Sequence, residues 1–148
     1  MEPQARSIVA TQLTLSARRG ALADEALAQA VCRTIEEYAK RLALPLVAYC
    51  LLGDDLDVMV AHPPPGAPGA AVSLERFTQL FRDYTGHMYT RVGGQGALWQ
   101  RSAVVAIGED EWRQRLSQMI QRPVRRNLVE RWDEWPYTRV YVEMSGIA

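Results

Sequence analysis

Two carboxylates, Asp55 and Asp57, stand one residue apart at the head of the apolar run 56–60. Alternate residues of a strand project from the same face, so both acids share one side of a sheet. That arrangement serves either a metal or acid/base site or a solvated sheet edge, and for an isolated Asp-x-Asp the second is the commoner. Few other residues offer chemistry. Cys32 and Cys50 fall in a helical and a strand pattern without metal spacing, which reads as buried thiols in a reducing compartment. His87, near a helix end, reads as a surface histidine. Gly93-Gly94-Gln95-Gly96 lacks the Lys-Ser/Thr of a phosphate loop and is not flanked strand-to-helix, which excludes nucleotide binding of that type. Sixteen of the seventeen basic residues are arginine, Lys40 being the exception. Arginine suits bidentate phosphate recognition, although the same richness follows from a GC-rich genome.

The elements that position these residues follow from hydrophobic periodicity. Residues 46–52 and 56–60 are two apolar runs broken by Gly53-Asp54-Asp55, which is hairpin chemistry because Gly and Asp tolerate positive φ. Residues 7–16 alternate as a strand with Val9, Thr11, Leu13 and Leu15 on one face. Residues 21–44 carry a stripe of Leu27, Val31, Ile35 and Leu42 at helical spacing, with Asp24 and Glu25 in the first turn and Lys40 and Arg41 in the last. Pro45 ends that helix. Residues 62–71, HPPPGAPGAA, read as a proline-rich loop. Ser73 is the expected cap of a second helix with Leu74, Phe77, Phe81, Tyr84 and Met88 inside. A strand centred on 103–107 comes next, then a helix opened by Glu109-Asp110-Glu111 and broken at Pro123. A short helix over 124–131 and an edge strand over 140–142 complete the chain. The order β-α-β-β-α-β-α predicts an α+β fold: a ferredoxin-like split βαβ, with a mainly antiparallel sheet and helices on one face.

The 148 residues fit one domain, 1–148, long enough for a sizeable core. Seventeen acidic residues cancel the basic ones, so nucleic-acid binding requires a local patch. No apolar run reaches the roughly 18 residues of a membrane span, and the N-terminus lacks a signal peptide's apolar centre. No membrane partner and a cytoplasmic location are expected.

The element order and four local strings together resemble the REP-associated tyrosine transposases, single-tyrosine enzymes of the His-hydrophobic-His superfamily. Their second hairpin reads approximately Ala-Tyr-x-Leu-Met-Pro-Asn-His-x-His-hydrophobic, and residues 48–58 here read AYCLLGDDLDV. Their Gly-x-Leu-Trp-Gln-Arg is matched by GALWQR at 96–101. Their acidic helix start is followed by Tyr-x-x-x-Asn-Pro-Val-Arg-Ala-x-Leu-Val, and residues 118–129 here read QMIQRPVRRNLV. Their Trp-Pro-x-Ser-Ser is matched by Trp135-Pro136-Tyr137-Thr138-Arg139. The resemblance implies a site where two histidines and an asparagine hold Mg²⁺ or Mn²⁺ for attack by the tyrosine on a DNA phosphate. This chain has Asp55 and Asp57 at the histidine positions, Arg122 at the asparagine position and Gln118 at the tyrosine position.

Gln118 has no nucleophilic atom for a phosphodiester bond. Two aspartates suit Mg²⁺, but Arg122 brings a permanent charge that donates without accepting. The expectation is that Arg122 bridges Asp55 and Asp57 in place of a metal, leaving no competent catalytic set and no cofactor. Single-stranded or hairpin DNA is the implied partner. Arg18, Arg19, Arg91, Arg101, Arg125 and Arg126 are the candidate phosphate contacts, and Trp99 is a candidate stacking surface or a core residue. A homodimer is compatible with the resemblance. Two other readings stand beside this one: a protein-interaction module that has lost DNA binding, and an active metal-dependent nuclease using Asp55 and Asp57 with Tyr84 or Tyr89.

Overall fold

The computed structural model describes residues 7–62 and 70–143, without the side chains of 70–73. Most of the proline-rich segment lies outside the described residues. Five strands and four α-helices follow in the order β1 (Ile8–Ala17), α1 (Glu25–Arg41), β2 (Leu46–Leu52), β3 (Asp55–Ala61), α2 (Ala70–Arg91), β4 (Trp99–Gly108), α3 (Trp112–Ile120), α4 (Arg122–Arg125) and β5 (Thr138–Val140). The strands form one sheet of order β4-β1-β3-β2-β5, and every neighbouring pair is antiparallel. This is the predicted split βαβ arrangement, with β5 added at one edge.

Local chemistry sets the element ends. Asp24 Oδ1 accepts the Leu27 N–H at 2.9 Å, so α1 starts at Glu25. Residues 21–23 ahead of it form a 3-10 turn and not the first turn of the expected longer helix. The chain leaves α1 through Ala43 at φ 52. The β2–β3 connection is the two residues Gly53 and Asp54, with Gly53 at φ 61, which is the left-handed region open to glycine. α2 begins at Ala70, three residues ahead of Ser73, which is therefore not its cap. Pro123 falls in α4, a single turn over Arg122–Arg125, and the left-handed φ of 59 at Asn127 ends it, so the longer helix expected over 124–131 does not form.

The pleat sorts the core into two layers. Leu13 and Leu15 of β1, Tyr49 and Leu51 of β2, and Leu56, Val58 and Val60 of β3 pack under Val31 and Ile35 of α1 and Phe77 and Phe81 of α2. The two long helices thus share one face, as the stripes predict. On the opposite face Ala10, Ala48, Cys50, Leu52 and Met59 pack against Leu116, Met119 and Ile120 of α3. This half of the second face is too apolar to be left in water, and α3 covers it. Glu36 of α1 receives the Tyr49 and Tyr141 hydroxyls at 3.3 and 3.0 Å and Arg139 Nε at 3.5 Å, tying β5 and its flank back to α1. Among the described residues no helix is long and apolar enough to cross a membrane.

Candidate functional site

The β3 register puts Asp55 opposite Ser16 and Asp57 opposite Thr14 of β1. Directly paired residues share a face, so a row of hydroxyls lies beside the two carboxylates. Asp57 Oδ1 accepts from Thr14 Oγ1 at 2.7 Å and from Gln12 Nε2 at 3.2 Å. Asp55 Oδ1 accepts from Ser16 Oγ at 2.9 Å. Gln12, Thr14 and Ser16 were not among the sequence candidates. Their signal was present as the polar residues that alternate with Leu13 and Leu15 in the β1 pattern.

Arg122, the first residue of α4, closes the site from the helix side. Its Nη1 reaches Asp57 Oδ2 at 2.5 Å and its Nη2 lies 3.7 Å from Asp55 Oδ2. One guanidinium fork therefore spans both acids, as expected of a planar group with fixed donors. The Asp57 side chain is 6% exposed, that of Arg122 23% and that of Asp55 41%. The strong contact is thus the sheltered one, and the Asp55 contact stands at the water boundary.

This donor set does not fit a divalent cation. Arg122 occupies one oxygen of Asp57, and Thr14 and Gln12 donate to the other. No group of three metal-ligating side chains exists among the described residues. Gln118 lies exposed on α3, and its backbone carbonyl accepts Arg125 Nη2 at 2.7 Å. Tyr84 and Tyr89 ride on α2, which packs on the face of the sheet opposite Asp55 and Asp57.

The candidate arginines divide into groups. Arg18 follows β1, and its backbone N–H donates to Leu98 O at 2.7 Å. A Cβ built on Gly96 would stand 2.5 Å from Arg18 Nη2, and one built on Gly53 would stand 3.8 Å from Arg126 Nη1. Arg18 and Arg126 therefore sit at the same end of the sheet, where Asp54 Oδ1 also accepts the Gly20 N–H at 3.0 Å. Arg101 pairs with Ser16 across β4 and β1, which places it in the row containing Asp55. Arg19 and Arg91 are exposed in the segments after β1 and at the end of α2. Arg125 is exposed but holds the α3 carbonyl of Gln118. Trp99 lies in the core and not on the surface. It is 5% exposed, its indole N–H donates to Thr85 Oγ1 at 2.8 Å, and its ring lies 5.7 Å from that of Phe81. A tryptophan so enclosed has no free face for a base.

No family model matches the sequence, and no curated protein sequence matches it. Solved structures do. A REP-associated tyrosine transposase bound to a REP hairpin superposes with a TM-score of 0.63 at 17% identity, over 93% of this chain and 82% of that one. A candidate transposase from Deinococcus radiodurans R1 superposes with a TM-score of 0.52 at 17% identity, over 82% of this chain and 95% of that one. The fold is thus that of the REP-associated tyrosine transposases, the group that the sequence strings resemble.

Proposed function

We propose that this chain is a relative of the REP-associated tyrosine transposases that binds single-stranded or hairpin DNA and does not cleave it. The observation that carries this reading is the Arg122 fork across Asp57 and Asp55. It fills with a fixed cation the place where the resemblance calls for a metal, and Gln118 supplies no nucleophile in place of the tyrosine. DNA binding is supported by Arg18, Arg101 and Arg126, exposed around the same end of the sheet and in no ion pair with an acid among the described residues. The similar structure bound to a REP hairpin supports the choice of ligand. Arg19, Arg91 and Arg125 extend the surface.

Titration of hairpin and single-stranded DNA at two salt concentrations tests the proposal. Three phosphate contacts on a single strand, one each from Arg18, Arg101 and Arg126, predict about 20-fold weaker binding between about 50 and about 200 mM salt. Arg18→Ala with Arg126→Ala should weaken binding and reduce that salt slope. A denaturing gel in Mg²⁺ or Mn²⁺ should show no covalent protein–DNA adduct. A phosphotyrosine adduct would overturn the non-catalytic reading. Absence of binding at low salt would favour the second reading, an interaction module that has lost DNA binding, to which the net charge of zero already points.

A further inference from the structure

A recess of about 250 Å³ opens between the end of α1 and the start of β2, lined by Glu36, Ala39, Lys40, Leu44, Leu46 and Tyr141. It belongs to the α1 face of the sheet, opposite the face that carries Asp55 and Asp57. It is therefore separate from the site described above. Its apolar part is the side chains of Ala39, Leu44 and Leu46, the first two buried. The last turn of α1 adds no open acceptor there. The Ala39 carbonyl accepts the Leu44 N–H at 2.8 Å, and the Lys40 carbonyl accepts the Ala43 N–H at 3.3 Å.

The recess also carries one charge of each sign. Three donors hold the Glu36 carboxylate, and all three meet the same oxygen. Its Oε1 takes the Tyr49 hydroxyl at 3.3 Å, the Tyr141 hydroxyl at 3.0 Å and Arg139 Nε at 3.5 Å. Its Oε2 accepts no hydrogen bond among the described residues. The carboxylate is thus oriented before any ligand arrives, and one oxygen is left to receive it. Lys40 lies one helical turn further along, exposed and in no ion pair among the described residues. Charges spaced four apart on a helix surface attract only weakly. A ligand that brings both opposite charges displaces that attraction at little cost.

We propose that this recess binds a free α-amino acid with an aliphatic side chain, such as leucine. The ligand ammonium donates to Glu36 Oε2, and the ligand carboxylate accepts from Lys40 Nζ. The side chain lies on Ala39, Leu44 and Leu46. Size restricts the choice, because sites for drug-sized ligands run from about 300 to about 1,000 Å³. A nucleotide is too large for the recess. Charge restricts it further: an amine alone meets the like charge of Lys40, and an acid alone meets that of Glu36.

Lys40 is the only lysine of the chain, which makes it a clean reporter. Reductive ¹³C-methylation keeps its charge and gives one lysine signal by NMR. L-leucine should shift that signal saturably, with a midpoint near ~1 mM, and should raise the Tm of the unmodified chain. Isoamylamine lacks the carboxylate, 4-methylpentanoate lacks the ammonium and glycine lacks the side chain. Each should bind at least tenfold more weakly. Glu36→Gln keeps an acceptor for the tyrosines and loses the charge, so calorimetry should show at least tenfold weaker leucine binding. If that variant fails to fold, Lys40→Ala at an exposed position should give the same loss with an unchanged circular dichroism spectrum. Lys40→Arg should keep most of the affinity. No saturable shift at about 20 mM leucine, equal binding of isoamylamine or 4-methylpentanoate, or unchanged leucine binding in Lys40→Ala would each overturn the proposal.

Discussion

Arg122 illustrates how one side chain alters what a site can do. Removing it would leave Asp55 and Asp57 facing each other with only neutral donors. Breaking a buried pair by deleting one partner costs about 3–5 kcal/mol. Arg122 is 23% exposed and Asp55 41%, so water screens part of the loss. Arg122→Ala should therefore destabilise the domain by roughly 2 kcal/mol, read by denaturant titration. Arg122→Lys should recover only part of this, because an ammonium lacks the fork that spans two acids. Full stability in Arg122→Ala would show that the ion pair is held without benefit. Millimolar Mg²⁺ should restore some stability to Arg122→Ala and none to the native chain, since only the variant frees the carboxylate oxygens.

At the level of elements, the contact between α2 and β4 depends on one tryptophan. Trp99 begins β4, and its indole reaches Thr85 of α2. Thr85 in turn donates to Phe81 O at 2.6 Å within the helix. Trp99→Phe keeps the ring against Phe81 but loses the indole hydrogen bond, for a cost of roughly 1–2 kcal/mol. DNA affinity should stay within about twofold, because a buried ring offers no stacking face. A large affinity loss in a folded Trp99→Phe variant would return Trp99 to the binding surface. The string Gly96-Ala97-Leu98-Trp99 was legible as a motif, but periodicity does not say whether a tryptophan at a strand start turns inward. The packing of α2 decides that.

Across the whole molecule, burial of titratable groups in the layer under α1 sets an upper pH limit on stability. Burial pushes the Cys32 thiol up from its ordinary 9.0 to about 12. Burial also pushes the Tyr49 phenol upward. Each raised group is protonated in both states below its unfolded value, so its contribution is intact there. Between about pH 9 and about pH 12 the unfolded chain has released the Cys32 proton that the folded chain retains, and stability falls as pH rises. Denaturant unfolding at about pH 8 and about pH 11 should show that loss, and Cys32→Ala should flatten the slope. An identical slope in Cys32→Ala would assign the alkaline loss to other groups.

Much of this architecture was carried by local pattern. The alternation in β1, the Gly53-Asp54 turn and the α1 stripe are consequences of neighbours in sequence; β1 and the turn appeared where read, and α1 appeared within the expected span but shorter at both ends, Glu25–Arg41. The same holds for Asp55 and Asp57 sharing a face, since the two-residue repeat of a strand allows nothing else. The charge of Arg122 and the missing nucleophile at Gln118 were also legible, because side-chain chemistry does not depend on the fold. What tertiary structure alone decided is which partners each group meets over long separations. Thr14 and Gln12 became donors to Asp57 through the β1–β3 register, and Trp99 was drawn into the core by α2. Likewise β4 stands at the sheet edge among the described residues only because of the strand order. Pairing register and layer packing join residues tens of positions apart, and no local periodicity encodes them.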